Sequence, residues 1–246
     1  MQIPTADRVL YALLVASAIG CAGLLWRRSP RTVSLNCEQR WAIGLGAFAG
    51  AMIGARLPFL IYQGWKLGLD VPLLWSDGKT ILSGLLGGYL GVEIAKAITG
   101  VRQRLGDGFA LPVAVGVAIG RTACFVAGCC YGQPTGGAWG VVFPLSGDRL
   151  PRHPTQLYEV AFHLACAGAI VLAMRRGWFQ GHLLKGYLLA YLAYRFASEF
   201  WRPEPSWWAG LTVYQWACLP LAALLLAHAF WQERFPAAVP CEQSRA

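Results

Sequence analysis

Phe109-Ala110-Leu111-Pro112-Val113-Ala114-Val115-Gly116-Val117-Ala118-Ile119-Gly120-Arg121-Thr122-Ala123-Cys124-Phe125-Val126 carries a single charge, Arg121, near its end. At about 1.5 Å of rise per residue, a helix of this length crosses most of a ~30 Å hydrocarbon core. Working outward, apolar stretches of similar length recur at Val9–Trp26, Trp41–Tyr62, Ile81–Ala97, Leu157–Met174, Leu183–Phe200 and Leu211–Trp231. Seven such spans joined by short loops predict an all-α polytopic membrane bundle, with residues 1–246 as a single integral domain. Composition agrees, since 56% of the 246 residues are hydrophobic and only 13% are charged, against about 25% charged in soluble domains. The first span lacks a basic flank and an A-x-A cleavage site, so it reads as a retained helix and not a signal peptide.

Lysine and arginine orient the bundle. Arg27, Arg28, Arg31 and Arg40 follow the first span, Lys96, Arg102 and Arg104 the third, and Arg175, Arg176 and Lys185 the fifth. These loops are expected in the cytoplasm. The opposite loops hold Asp70, Asp77, Asp148 and Glu204, which places the N-terminus outside and the C-terminus, with a flexible tail over 236–246, inside. The net charge of +9 is thereby a topology signal. No contiguous basic face appears outside those loops, so no nucleic-acid partner is expected.

Glycines three or four apart mark the second and third spans: Gly44, Gly46, Gly50 and Gly54, then Gly84, Gly87, Gly88 and Gly91. Small residues at that spacing let helices approach closely in lipid, while the Ser83–Gly88 stretch also has backbone polar groups to offer a cavity. Residues 129–156 form the longest connection and contain nine glycines and prolines, which excludes continuous helix. With Trp139, Val141, Val142 and Phe143 interleaved, an ordered interfacial loop on the outer face is expected.

Two polar groupings stand out against this background. Arg195, Glu199 and Arg202 share one helix face by spacing, and with Arg56 and Arg121 they make a cationic set in the outer half of the bundle. Either Arg195 and Glu199 neutralise each other while Arg121 and Arg202 snorkel to the interface, or the set binds an anion such as a lipid phosphate. The second grouping is His153-Pro154-Thr155-Gln156-Leu157-Tyr158-Glu159, where Pro154 suits a helix start and Glu159 its opening turn. His153 is a candidate general base or a loop anchor.

Gly120-Arg121, Phe125, the Gly128/Gly132 pair, HPTQLYE at 153–159 and YRFASEFWR at 194–202, with Gly54-Ala55-Arg56 and the Ser83–Gly91 glycine run, resemble the prolipoprotein diacylglyceryl transferase family. The resemblance spans about residues 41–216. It implies a multi-pass protein of the bacterial inner membrane. The implied reaction moves a diacylglyceryl group from phosphatidylglycerol to a cysteine thiol of an exported lipoprotein precursor, without cofactor or metal. By position, Arg121 and Arg195 hold the phosphate, Glu199 and Arg202 order that site, and His153, Gln156, Tyr158 and Glu159 shape its outer rim. Arg56, Ser83, Gly84, Cys124, Gly128 and Gly132 complete the substrate-binding set.

The family signature reads approximately G-R-x-G-N-F-x-N-x-E-x-x-G, whereas this chain has Cys124, Ala127 and Cys129 at the Asn, Asn and Glu positions. A thiol at 129 beside Arg121 is expected to ionise readily and to act as nucleophile or base, while Cys124 and Cys130 also read as small packing residues. An alternative function places a redox or soft-metal centre at Cys129-Cys130, although no second C-x-x-C cluster accompanies it.

Overall fold

The computed structural model describes residues 5–29, 35–67 and 80–234. Seven α-helices are present among them: α1 (Thr5–Arg27), α2 (Cys37–Leu67), α3 (Ile81–Thr99), α4 (Gly106–Val126), α5 (Thr155–Arg176), α6 (Leu183–Ser198) and α7 (Val213–Arg234). Six are long and apolar enough to cross a membrane, so the protein is an all-α polytopic membrane bundle. Arg31, Asp70, Asp77 and the 236–246 tail lie outside the described residues.

The predicted span Leu183–Phe200 is the exception. Its α-helix has 16 residues, a length of about 24 Å, and continues as a 3₁₀ turn over Glu199–Trp201. Lys185, Tyr187, Tyr191, Arg195 and Ser198 are sequestered together with Leu183, Leu184, Leu188 and Leu192. The helix is thus lined by protein along much of its length, and only its shorter α-helical stretch sets it apart from the other six.

The chain forms two compact units, one from residues 1–32 and 104–246 and the other from 33–103. In the second unit α2 packs along α3. A methyl group added to Gly50 or Gly87 would overlap the other's backbone carbonyl, so the paired glycines set how close these helices come. Thr80 N–H donates to the Ala55 carbonyl at 2.9 Å and ties the start of α3 to α2.

In the first unit α1 packs on α4, α4 on α5, and α6 on both α4 and α7. Trp26 stacks on Phe109 with centroids 5.2 Å apart, joining the end of α1 to the start of α4. Asp107, in the first turn of α4, accepts from the Leu183 amide at 3.0 Å and from the Gly181 amide, satisfying donors at the start of α6 that no helical carbonyl reaches. The two helices therefore begin at the same level. At about 1.5 Å per residue, Arg121 lies about 21 Å along α4 and Arg195 about 18 Å along α6, so both arginines arrive at one end of the unit.

The 129–156 connection contains short regular elements. Strands β1 (Val141–Val142) and β2 (Pro151–Arg152) pair antiparallel, and Pro144–Ser146 makes a 3₁₀ turn between them. Phe143 is buried against Tyr131 and Phe125, at centroid distances of 5.3 and 5.9 Å. The Arg152 guanidinium covers the Tyr131 ring and pairs with Asp148.

Candidate active site

The second turn of α5 brings Glu159 into the end of the first unit where α4 and α6 deliver their arginines. Glu159 is 1% exposed, and its carboxylate is enclosed by donors. Arg121 Nη2 lies 2.7 Å from both carboxylate oxygens, Arg202 Nη2 donates to Oε2 at 3.0 Å, and the Tyr191 hydroxyl donates to Oε1 at 2.7 Å. His163, one turn along α5, stands 4.0 Å from Oε1 through Nε2, and its Nδ1 meets the Tyr187 hydroxyl at 2.9 Å. Glu159 is thus a central anion shared by two arginines, which corrects its expected place on the outer rim. Its early position in the helix suggests a cap, but its partners come from three other segments.

Arg195 and Glu199 pair at 2.8 Å, one turn apart as their spacing requires, and the Thr212 hydroxyl donates to Glu199 Oε1 at 3.1 Å. Arg195 also lies over the Tyr214 ring, 5.1 Å from its centroid. Arg121, Arg195 and Arg202 are all buried, so the picture of Arg121 and Arg202 snorkelling to an interface does not hold. Three buried guanidiniums face two buried carboxylates. Arg195 Nη1 and the Nε atoms of Arg121 and Arg202 make no hydrogen bond.

The HPTQLYE segment fastens the loop to this centre. The Thr155 hydroxyl donates to the Cys130 carbonyl at 2.8 Å, and Gln156 Nε2 donates to the Cys129 carbonyl. His153 exchanges backbone hydrogen bonds with the segment that follows the thiols, accepting from Gly132 N–H at 2.8 Å and donating to the Gln133 carbonyl at 3.1 Å. Its Nδ1 lies 3.1 Å from the Tyr158 hydroxyl. Gln133 N–H and Nε2 reach the Trp201 and Arg202 carbonyls at 2.8 and 2.9 Å, so the loop also holds the chain that carries Arg202.

The thiols of Cys124, Cys129 and Cys130 gather at the end of α4, with all three sulfurs within 4.8 Å of one another. Gly128 at φ 68° and Cys130 at φ 62° turn the chain back on itself, and Cys129 N–H donates to the Cys124 carbonyl at 3.1 Å. Hydrogen bonding with Cys124 and Cys130 pushes the Cys129 thiol up, contrary to the expectation that it would ionise readily. The thiolate is favoured at Cys130, lowered by hydrogen bonds from Cys124 and Cys129 and further by the charges of Arg121 and Arg202.

Arg56, Ser83 and Gly84 belong to the second unit. Arg56 is half-buried on α2, the Ser83 hydroxyl donates to the Thr80 carbonyl at 3.3 Å, and Gly84 lies against Ala55. Tyr187, Tyr191 and His163 escaped sequence reasoning. A signal existed: Tyr187, Tyr191, Arg195 and Glu199 recur every four residues, a polar stripe on one face of an apolar helix.

A family model described as prolipoprotein diacylglyceryl transferase matches residues 1–231. Curated relatives named phosphatidylglycerol–prolipoprotein diacylglyceryl transferase include one from Bordetella parapertussis, 30% identical, with 86% of each chain covered. One from Cupriavidus pinatubonensis is 33% identical over 75% of this chain and 71% of its own, and one from Paracidovorax citrulli is 30% identical over 92% of both.

Proposed function

The chain belongs to the prolipoprotein diacylglyceryl transferase family, and on that premise we propose that it transfers diacylglyceryl from phosphatidylglycerol to a cysteine thiol of an exported lipoprotein precursor. The observation that carries this reading is the convergence of three buried guanidiniums, Arg121, Arg195 and Arg202, with Arg195 Nη1 left without a hydrogen bond. A phosphodiester anion accepts from the open Arg195 Nη1. The loop charges support an outer-leaflet site, with the N-terminus outside.

In the reaction, the acceptor sulfur attacks the glycerol carbon bonded to the phosphate oxygen. An S–C bond forms, the C–O bond breaks, and glycerol phosphate leaves with the electron pair. Arg121 and Arg195 stabilise the charge that builds on it, and Glu159 and Glu199 fix their positions. His153 takes the acceptor's proton on Nε2 when its Nδ1–H is donated to Tyr158. The reading is tested with purified protein, phosphatidylglycerol vesicles and a lipobox peptide. Peptide gaining the diacylglyceryl mass, with release of one glycerol phosphate per peptide, supports it; neither product appearing overturns it. The alternative of a protein devoted to redox or metal chemistry is not favoured, because the family match extends over nearly the whole chain.

A further inference from the structure

The thiol cluster is unused by that reaction, and its three sulfurs are brought together by the fold. Within 4.8 Å of one another, they come from a single turn whose backbone is held at two points, the Cys129 and Cys130 carbonyls being bound by Gln156 and Thr155. Cys129 and Cys130 Sγ are 3.8 Å apart. Three thiolates at about 2.3 Å from an ion at their centre stand about 4 Å apart, so the cluster needs only a small contraction to coordinate. Thiolate donors without imidazole or carboxylate select soft cations.

We infer that Cys124, Cys129 and Cys130 form a three-thiolate site for one soft cation, with Cu(I) as its representative. Binding releases the protons still held by the thiols and leaves the metal's oxidation state unchanged. The charges of Arg121 and Arg202, which act on the Cys130 sulfur, offset the resulting anionic centre. No fourth ligand of the cysteine or histidine type joins the cluster among the described residues, which suits an ion content with three sulfurs over one that demands four.

The test uses the full chain in detergent micelles, titrated anaerobically with Cu(I) against a coloured Cu(I) chelator. In a variant with Cys21, Cys37, Cys166, Cys218 and Cys241 changed to alanine, one equivalent is expected to be retained. X-ray absorption is expected to show a three-sulfur shell near about 2.3 Å. Adding Cys129→Ala or Cys130→Ala is expected to weaken retention more than tenfold. No retention, a two-sulfur shell, or unchanged affinity in Cys130→Ala overturns the site. Because the multiple variant risks misfolding, Cys130→Ala is also compared with the unaltered chain, where loss of one equivalent is expected and an unchanged count refutes the proposal. The readout needs neither lipid nor acceptor, so its failure leaves the transferase reading untouched.

Discussion

Glu159 is held by the Nη2 atoms of two arginines lying 38 and 43 residues away, Arg121 at 2.7 Å and Arg202 at 3.0 Å. Removing that carboxylate strands two guanidiniums in a buried setting. Glu159→Ala is expected to destabilise the protein by about 3–5 kcal/mol, the cost of breaking one partner out of a buried ion pair. Glu159→Gln keeps an acceptor oxygen and is expected to lose less. Thermal unfolding in detergent checks the order; equal stability of Glu159→Ala and the parent chain would show that the carboxylate is no structural keystone.

Arg195 separates charge from geometry. Its Nη1 lacks a hydrogen bond, so it has a donor available for phosphate while the rest of the guanidinium pairs with Glu199. Arg195→Lys retains the cation but not the fork. Glycerol-phosphate release is expected to fall about 10–100-fold, corresponding to one charge-assisted hydrogen bond worth about 1.5–3 kcal/mol, with the helical content unchanged. Full activity of the lysine variant would limit Arg195 to a point charge.

The long spans were legible because runs of about 20 apolar residues match the thickness of a bilayer and seldom occur in soluble helices. Arg195 with Glu199 was legible too, since helical spacing alone places them together. What escaped the sequence depended on tertiary folding. Which arginine meets Glu159 is decided by three segments converging, a relationship that local spacing does not encode. Leu183–Phe200 was legible as an apolar helix, but its change to a 3₁₀ turn at Glu199 was not, because hydropathy carries no signal for it. The gathering of Cys124, Cys129 and Cys130 depends on a left-handed turn at Gly128 and at the non-glycine Cys130, which composition does not announce.

Cys130 is exposed, and its thiol is held below the ordinary range by its two sulfur neighbours and by Arg121 and Arg202. The sign follows directly: a lowered value means the thiolate is already present below the usual thiol pKa of about 8.5 and is lost only on acidification. Iodoacetamide labelling of Cys130 is therefore expected to proceed at a nearly constant rate between about pH 6 and 8, whereas an ordinary thiol gains about tenfold per pH unit there. Cys129→Ala removes one stabilising donor and is expected to restore part of the pH dependence. Peptide mass spectrometry after timed labelling reads both rates.

Gly132 lies where the loop, the start of α5 and the chain carrying Arg202 converge. A Cβ there would come 2.6 Å from the Trp201 carbonyl oxygen, 2.8 Å from His153 Cβ and 2.9 Å from Thr155 Cγ2. Two of these obstacles belong to the segment that fastens the loop, and the third precedes Arg202, so no single flexible side chain can move aside. Gly132→Ala is expected to cost about 1–3 kcal/mol through overpacking. It is also expected to displace Arg202 from Glu159, because the neighbouring Gln133 binds the Trp201 and Arg202 carbonyls. Limited proteolysis of the 129–156 connection should quicken and transfer activity should fall together. Faster cleavage with undiminished transfer would mean that the loop is not what positions Arg202.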